Sequence, residues 1–248
     1  MIKQNNLGEI NIDKFAEGVK HTLSKGADMN EQRSVGMIIN NYLEKKMEQH
    51  RSQVQAARPV QKGGLSVLLE KNRSTRGYDS SFIVRKDQLR RIVEVNTKVA
   101  SARNRQLLRF RIVTKDEAHK VLPYIRMGSS LPSLNLPLPG TEPNAFIVVC
   151  SIEESRPSTF IDLGISVQSM LLQAVEIGLN GVCLMSFDKD AIISGLGLEY
   201  EPLVVLAIGR SAEKHRLVEI GAGDDHSYYR ENGVHCVPKV ALDELIVD

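Results

Sequence analysis

Two short segments of this 248-residue chain hold side chains suited to gripping a ligand. The first is Asn72-Arg73-Ser74-Thr75-Arg76-Gly77-Tyr78, and the second is Ser101-Ala102-Arg103-Asn104-Arg105-Gln106. In the first, Arg73 and Arg76 flank two hydroxyls. A guanidinium is a rigid donor fork, and serine is a short neutral donor beside it, so a tight turn would let them converge on one phosphate. A solvated charge cluster, with the arginines paired to Glu70 and Asp79, is the plainer account of the same residues. In the second segment, Asn104 and Gln106 carry amides that both donate and accept. They suit the edge of a heterocycle bearing carbonyl and N–H groups, with Arg103, Arg105 and Arg109 adding positive charge nearby. A loop making only structural hydrogen bonds is the alternative. Together the segments suggest a bound cofactor.

Other chemistries find less support. Cys150, Cys183 and Cys236 are odd in number and widely spaced, with no CxxC pair, which argues against a disulfide framework or a thiolate metal site. Cys150 and Cys183 lie in apolar runs and are expected to be buried. His226 and His235 have no recognised ligand spacing, so no metal is expected. No Ser/His/Asp arrangement has useful motif context. There is no GxxxxGK[ST] loop, and no GxGxxG follows a first strand. The 32 basic and 30 acidic residues leave a net charge of +2, which makes no case for nucleic acid. No run approaches the roughly 20 apolar residues of a membrane span, and the N-terminus lacks an apolar signal region. A cytoplasmic protein is expected.

The elements that must position these segments follow from apolar periodicity. Residues 1–60 form a polar N-terminal extension with two helical stripes, Ile12, Phe15 and Val19, then Val35, Ile38, Ile39, Tyr42 and Met47. Too small for a core of their own, they need a surface on the main domain or a partner chain. Ala57-Arg58-Pro59 and Gly63-Gly64 break the pattern, so the second domain spans 61–248, its regular structure starting near Gly64. Helices are expected over 65–70 and from Lys86, and a short one within 116–125. Strands are expected at 110–113, 145–150, 182–185 and 204–209. Between 160 and 177 lies a helix whose aligned face is Ile161, Ile165, Leu172 and Val175, interrupted by Gln168 and closed by Gly178. Asp188 caps a short helix ending near 195–197. Residues 128–143 are rich in Gly and Pro, yet their interspersed leucines suggest a segment lying on the body. After Gly209 the chain reads as polar until Leu242–Val247, an extended tail able to pair with a sheet edge.

In these segments the chain resembles the FMN-dependent nitroreductase family. The family's R-R-S-x-R-x-[FY] segment matches Asn72 to Tyr78, and its P-S-A-x-N-x-Q-P-W-x-F segment matches Ser101 to Phe110. Its long central helix and G-L-G strand match Asp162 to Gly181, and a later strand matches Val204 to Gly209. The similarity spans roughly residues 64–247. It implies an α+β, nitroreductase-like fold, with a central mixed, mainly antiparallel sheet flanked by helices in an intertwined homodimer. It implies tightly but non-covalently bound FMN near the subunit interface. Arg73, Ser74 and Arg76 would serve its phosphate or the flavin's polar side, Lys239 its phosphate, Asn104 the ring, Gln106 the same loop or the ribityl side, and Met185-Ser186 the neighbourhood of N5. It implies hydride transfer from NAD(P)H, a transient co-substrate, through the flavin to a quinone, nitroaromatic or related small acceptor. A flavin-binding regulatory or storage protein with little turnover, or a non-flavin interaction protein, are the alternatives. The chain departs from the family at Asn72 for arginine, Leu107-Leu108 for Pro-Trp, Ser186 for glycine and Val240 for arginine.

Overall fold

The computed structural model describes residues 64–128 and 136–247. The two N-terminal stripes, residues 1–60 as a unit, and Leu131 and Leu134 lie outside the described residues. The first helix, α1, is Gly64–Lys71, and α2 is Lys86–Glu94, with Leu89 and Ile92 buried. Strand β1, Leu108–Val113, follows the amide-bearing loop. Instead of one short helix over 116–125, two 3-10 segments occur, Lys115–Lys120 and Leu122–Tyr124. Pro123 has no N–H to donate, so an α-helical ladder does not run through this stretch.

Strand β2 is Ala145–Ser151, and all seven residues are buried. It leads into the 20-residue helix α3, Pro157–Glu176, which Gly178 terminates at φ 78°. Then come β3, Asn180–Leu184, the helix α4, Lys189–Leu196, and β4, Glu201–Gly209. As expected, Asp188 caps α4, its carboxylate accepting from Ala191 N–H at 3.0 Å. The four strands make one antiparallel sheet in the order β1-β2-β4-β3.

Central strands covered on both faces need apolar residues at consecutive positions, which is why β2 and β4 read as continuous apolar runs. Ala145, Ile147, Val149, Leu206 and Ile208 pack on one face beneath α2 and α3. Phe146, Val148, Val205 and Ala207 pack on the other, against Ala118, Val121 and α4 residues Ile192 and Leu196. The architecture is α+β, a sheet between helical layers.

Helix α3 faces the core with a different side from the expected one. Leu163, Val167, Met170, Leu171 and Ala174 are buried, whereas Ile161 and Ile165 are 65% and 38% exposed. The helix is apolar on both sides, so periodicity alone does not choose between them. Polar partners do: Asp162 and Ser166 are buried because Asp162 Oδ1 accepts from Ala102 N–H at 2.8 Å and Ser166 bonds Asn96. The protomer leaves Phe160, Ile161, Ile165 and Gln168 as an outward strip.

The region after Gly209 is also more structured than its polarity suggests. Strands β5, Lys214–Ile220, β6, Tyr229–Glu231, and β7, Val234–Val240, form a second sheet in the order β5-β7-β6. The β5–β7 pair is parallel and β6–β7 antiparallel. The tail begins with a 3-10 turn at Leu242–Glu244 rather than an extended strand, and Leu242, Leu245, Ile246 and Val247 are exposed. Cys150 is buried, its thiol pushed up to about 11 by desolvation, but Cys183 is exposed on the edge strand β3.

Close approach fixes one glycine. A Cβ on Gly181 would lie 2.7 Å from the Ala207 carbonyl oxygen and 2.9 Å from Leu171. Backbone on one side and helix on the other leave nowhere to yield. Gly181→Ala should therefore cost about 1–3 kcal/mol, read as a lower urea midpoint at unchanged slope.

Candidate functional site

The segment Asn72 to Tyr78 crosses from one sheet to the other, and its backbone is held at every step. Ser74 makes a parallel bridge to Gly181 on β3, and Thr75 N–H donates to Gly181 O at 3.2 Å. Arg76 N–H donates to Glu213 Oε2 at 2.8 Å. Beyond it, Ala212 N–H donates to Gly77 O at 3.0 Å, and Asp79 N–H to Arg210 O at 2.9 Å. Tyr78 is buried against Gly209, and its hydroxyl donates to the Thr75 carbonyl at 2.7 Å.

This path places the arginines. Arg73 donates from Nε to the Glu70 carbonyl at 3.1 Å and from Nη2 to that of Leu69, so its guanidinium closes the end of α1. It does not pair with the Glu70 carboxylate. Arg76 donates to the Ser74 carbonyl at 3.2 Å, and its guanidinium carbon lies 5.8 Å from the Tyr228 ring centroid. Asp79 pairs instead with Arg210, at 3.8 Å.

Four of the expected site residues come together here. Arg73, Ser74, Arg76 and Lys239 line one cavity of about 200 Å³, with Asn72, Gln168, Gly181, His215, Tyr228 and His235. Strand alternation accounts for the β7 contribution: His235, Val237 and Lys239 recur every second residue and share a face. His215 on β5 lies directly opposite His235 in the parallel pairing. The histidines and Tyr228 were not among the expected site residues. The signal existed, since His235 stands four residues before Lys239, but it carries meaning only once that stretch is a strand.

Asn104 and Gln106 lie elsewhere. Arg103, Asn104 and Gln106 all have left-handed backbones, with φ of 53°, 54° and 51°. Such conformations cost about 1–3 kcal/mol each in a non-glycine residue and gather at functional loops. The Asp162 carboxylate steadies the loop, and Gln106 Nε2 donates to Asn104 Oδ1 at 3.1 Å. Gln106 opens onto a separate groove of about 890 Å³, shared with Ser101, Asp162 and Ser166. This groove is the larger and carries Arg90, Arg91 and Arg109, whereas the cations of the first motif, with Lys239, are in the smaller one. Asp162 of α3 borders the groove and Leu171 the smaller cavity. Nine residues apart on a helix, they point about 180° from each other. The two motifs thus flank opposite edges of α3, and they do not meet among the described residues of the chain.

Met185 and Ser186 stand at the far end of β3 from Gly181, roughly 16 Å along the strand. The Met185 side chain is 75% exposed. The Ser186 carbonyl accepts from Arg126 N–H at 2.9 Å, while its own N–H meets no acceptor among the described residues.

The donor set of the smaller cavity fits an anionic phosphate. It offers two guanidinium groups, an ammonium and a hydroxyl, and the His215 and His235 imidazoles line it as well. Among the described residues no cluster could hold a metal ion, and no helix is long and apolar enough to cross a membrane.

Comparison with known proteins adds an independent line. The model of the nitroreductase family matches residues 141–210, which run from just before β2 through β4 and lie outside both candidate motifs. Among solved structures, a nitroreductase family protein from Streptococcus pneumoniae TIGR4 is 16% identical, with a TM-score of 0.53, covering 74% of this chain and 99% of that one. A nitroreductase family protein from Clostridium difficile 630 is 26% identical over 59% of this chain and 83% of its own, with a TM-score of 0.48. A protein from Exiguobacterium sibiricum 255-15, described as a nitroreductase in complex with FMN, is 20% identical over 60% and 88%, with a TM-score of 0.49. No curated protein matches the sequence. The chain has the nitroreductase fold and resembles that family in sequence, and the match supports an oxidoreductase.

Proposed function

We propose that this nitroreductase-like chain is an FMN-dependent oxidoreductase that passes hydride from NADH or NADPH to a small acceptor such as a quinone or nitroaromatic. The observation that carries the proposal is the convergence of Arg73, Ser74, Arg76 and Lys239 on one small cavity, from segments more than 160 residues apart. Bound FMN supplies reversible two-electron redox chemistry. The chain's own groups bind and orient. Arg76 and Lys239 neutralise the phosphate end, with Ser74 as a short donor. The free N–H of Ser186, at the other end of the β3 edge, is a donor for the ring. In this reading no side chain need act as acid, base or nucleophile.

The place of Asn104 and Gln106 argues for a homodimer. The outward strip of α3, with Phe160, Ile161, Ile165 and Gln168, separates the two motifs on one protomer. A second copy covering that strip would bring its own Asn104 loop towards the first copy's phosphate cavity. Each cofactor would then rest on both chains, its phosphate on one and its ring edge on the other. The exposed tail supplies further apolar surface for such a contact, and a cytoplasmic setting suits the free thiols. The reading with little turnover draws on Asn72, which lines the cavity where the family carries arginine, and on Leu107, buried where it carries proline.

Three outcomes are expected. Arg76→Ala should weaken FMN binding by about tenfold to a hundredfold, the worth of a charge-assisted hydrogen bond. Arg85→Ala, which removes an exposed partner of Asp87, should leave it unchanged. Fluorescence titration measures both, and equal losses would overturn the phosphate assignment. Anaerobic NADH or NADPH should bleach the bound flavin's yellow colour, and a quinone should restore it. Flavin that never bleaches would leave the low-turnover reading in its place. Lastly, Arg76→Ala and Asn104→Ala chains mixed in one dimer should recover one intact site, seen as regained FMN stoichiometry. No recovery in verified mixed dimers would mean that each site belongs to a single chain.

A further inference from the structure

His215 and His235 are the titratable groups of the phosphate cavity that the proposed function leaves without a role. Their imidazoles face each other across the β5–β7 pairing, centroids 5.5 Å apart and nearly perpendicular. His235 is 5% exposed and the His215 side chain 9%. Each has a buried nitrogen with no hydrogen-bond partner among the described residues, Nε2 in His215 and Nδ1 in His235. The Glu213 carboxylate lies 3.6 Å from His215 Nε2, beyond hydrogen-bonding distance, and its oxygens already accept from Arg76 N–H and Arg230. Buried polar atoms without partners are costly and uncommon, and here the two residues that carry them line the same polar cavity.

We propose that His215 and His235 are anion ligands of this cavity, and that a phosphate monoester dianion enters it together with proton uptake onto the imidazole pair. The nucleotide's identity rests on the proposed function; the anion chemistry does not. Groups from every surrounding element set the balance. Arg73 and Arg76 face the pair from the crossing segment, Arg230 from β6 and Lys239 from β7, while Tyr228 stacks at 5.4 Å from His235. Gln168 of α3 is uncharged, and Glu213 is the single acidic neighbour among these. Without an anion, burial holds both imidazoles below their ordinary range. The arginines push the same way, with Glu213 opposing them. Both are then neutral near pH 7.

A phosphate dianion offers only acceptors. Two negative charges beside the imidazoles favour their protonated forms, in which both ring nitrogens donate. The proton comes from solvent and stays on the ring, and no bond of the phosphate breaks. Affinity should therefore fall as pH rises through the bound-state value, by up to about tenfold per unit for each proton taken up. Below about pH 6 protonation of the monoester itself works against binding.

Calorimetric titration of the full chain near pH 7.5, in buffers of different ionisation enthalpy, counts the protons. FMN and inorganic phosphate should each be accompanied by uptake, after correction for phosphate's own ionisation. Riboflavin, which lacks the phosphate, should show none. The imidazole proton resonances of the unaltered protein should titrate at higher pH with inorganic phosphate present, so no variant has to fold. His235→Gln should abolish part of the uptake. Binding of FMN without uptake and with unmoved resonances would overturn this inference while leaving the flavin reading intact. Uptake with inorganic phosphate but no FMN binding would do the reverse. Failure of both anions to bind would overturn both.

Discussion

The hydroxyl of Tyr78 is the fixed point from which the site is built. It donates to the Thr75 carbonyl inside the protein, and its ring lies against Gly209, where a Cβ would come within 2.6 Å of it. That contact turns a run of charged and polar residues back onto β4. Burial of the phenol costs nothing in lost hydrogen bonding because its one proton has a carbonyl to meet. With the turn fixed, Ser74 aligns with Gly181 and Arg76 N–H meets Glu213, so that Arg73, Ser74 and Arg76 border the cavity while Thr75 is buried.

Much of the fold could be read in the chain because its main signals are local. The strands β2 and β4 are unbroken apolar runs, and the end of α3 and the cap of α4 are marked by Gly178 and Asp188. Where the reading fails, the deciding contact is remote. The core face of α3 is chosen by Asp162 and Ser166, polar residues buried by partners some 60 and 70 positions away. Strands β5 and β6 are largely exposed, so alternation of apolar and polar residues is weak there, and the parallel pairing of β5 with β7 leaves no hairpin signature. The antiparallel β6–β7 turn does carry one, Asn232-Gly233 with both φ positive, which the reading passed over.

The site shows the same division. Arg73, Ser74 and Arg76 were legible as one motif, and Lys239 through the family's C-terminal pattern, and they do converge. His215 and His235 were not, because twenty residues separate them and only a sheet register sets them face to face. Asn104 and Gln106 were legible as a candidate ligand-binding loop from their amides, and the sequence gives no sign of the left-handed backbones they adopt. What a linear sequence does not reveal is that α3 stands between this loop and the cations. The distance between two motifs along a chain carries no information about the side of a helix on which each ends.

The cavity is walled by two different sheets, with Gly181 from the first and His215, His235 and Lys239 from the second. Between them runs a short seam of backbone contacts, 76–79 against 210–213. The width available to an anion is therefore a property of that joint rather than of any one lining residue. Alterations at Gly77, Ser211 or Ala212, which touch no ligand, would open or pinch the pocket as a door frame governs its opening. Selectivity in such a protein can drift through its hinges while every ligating side chain stays the same.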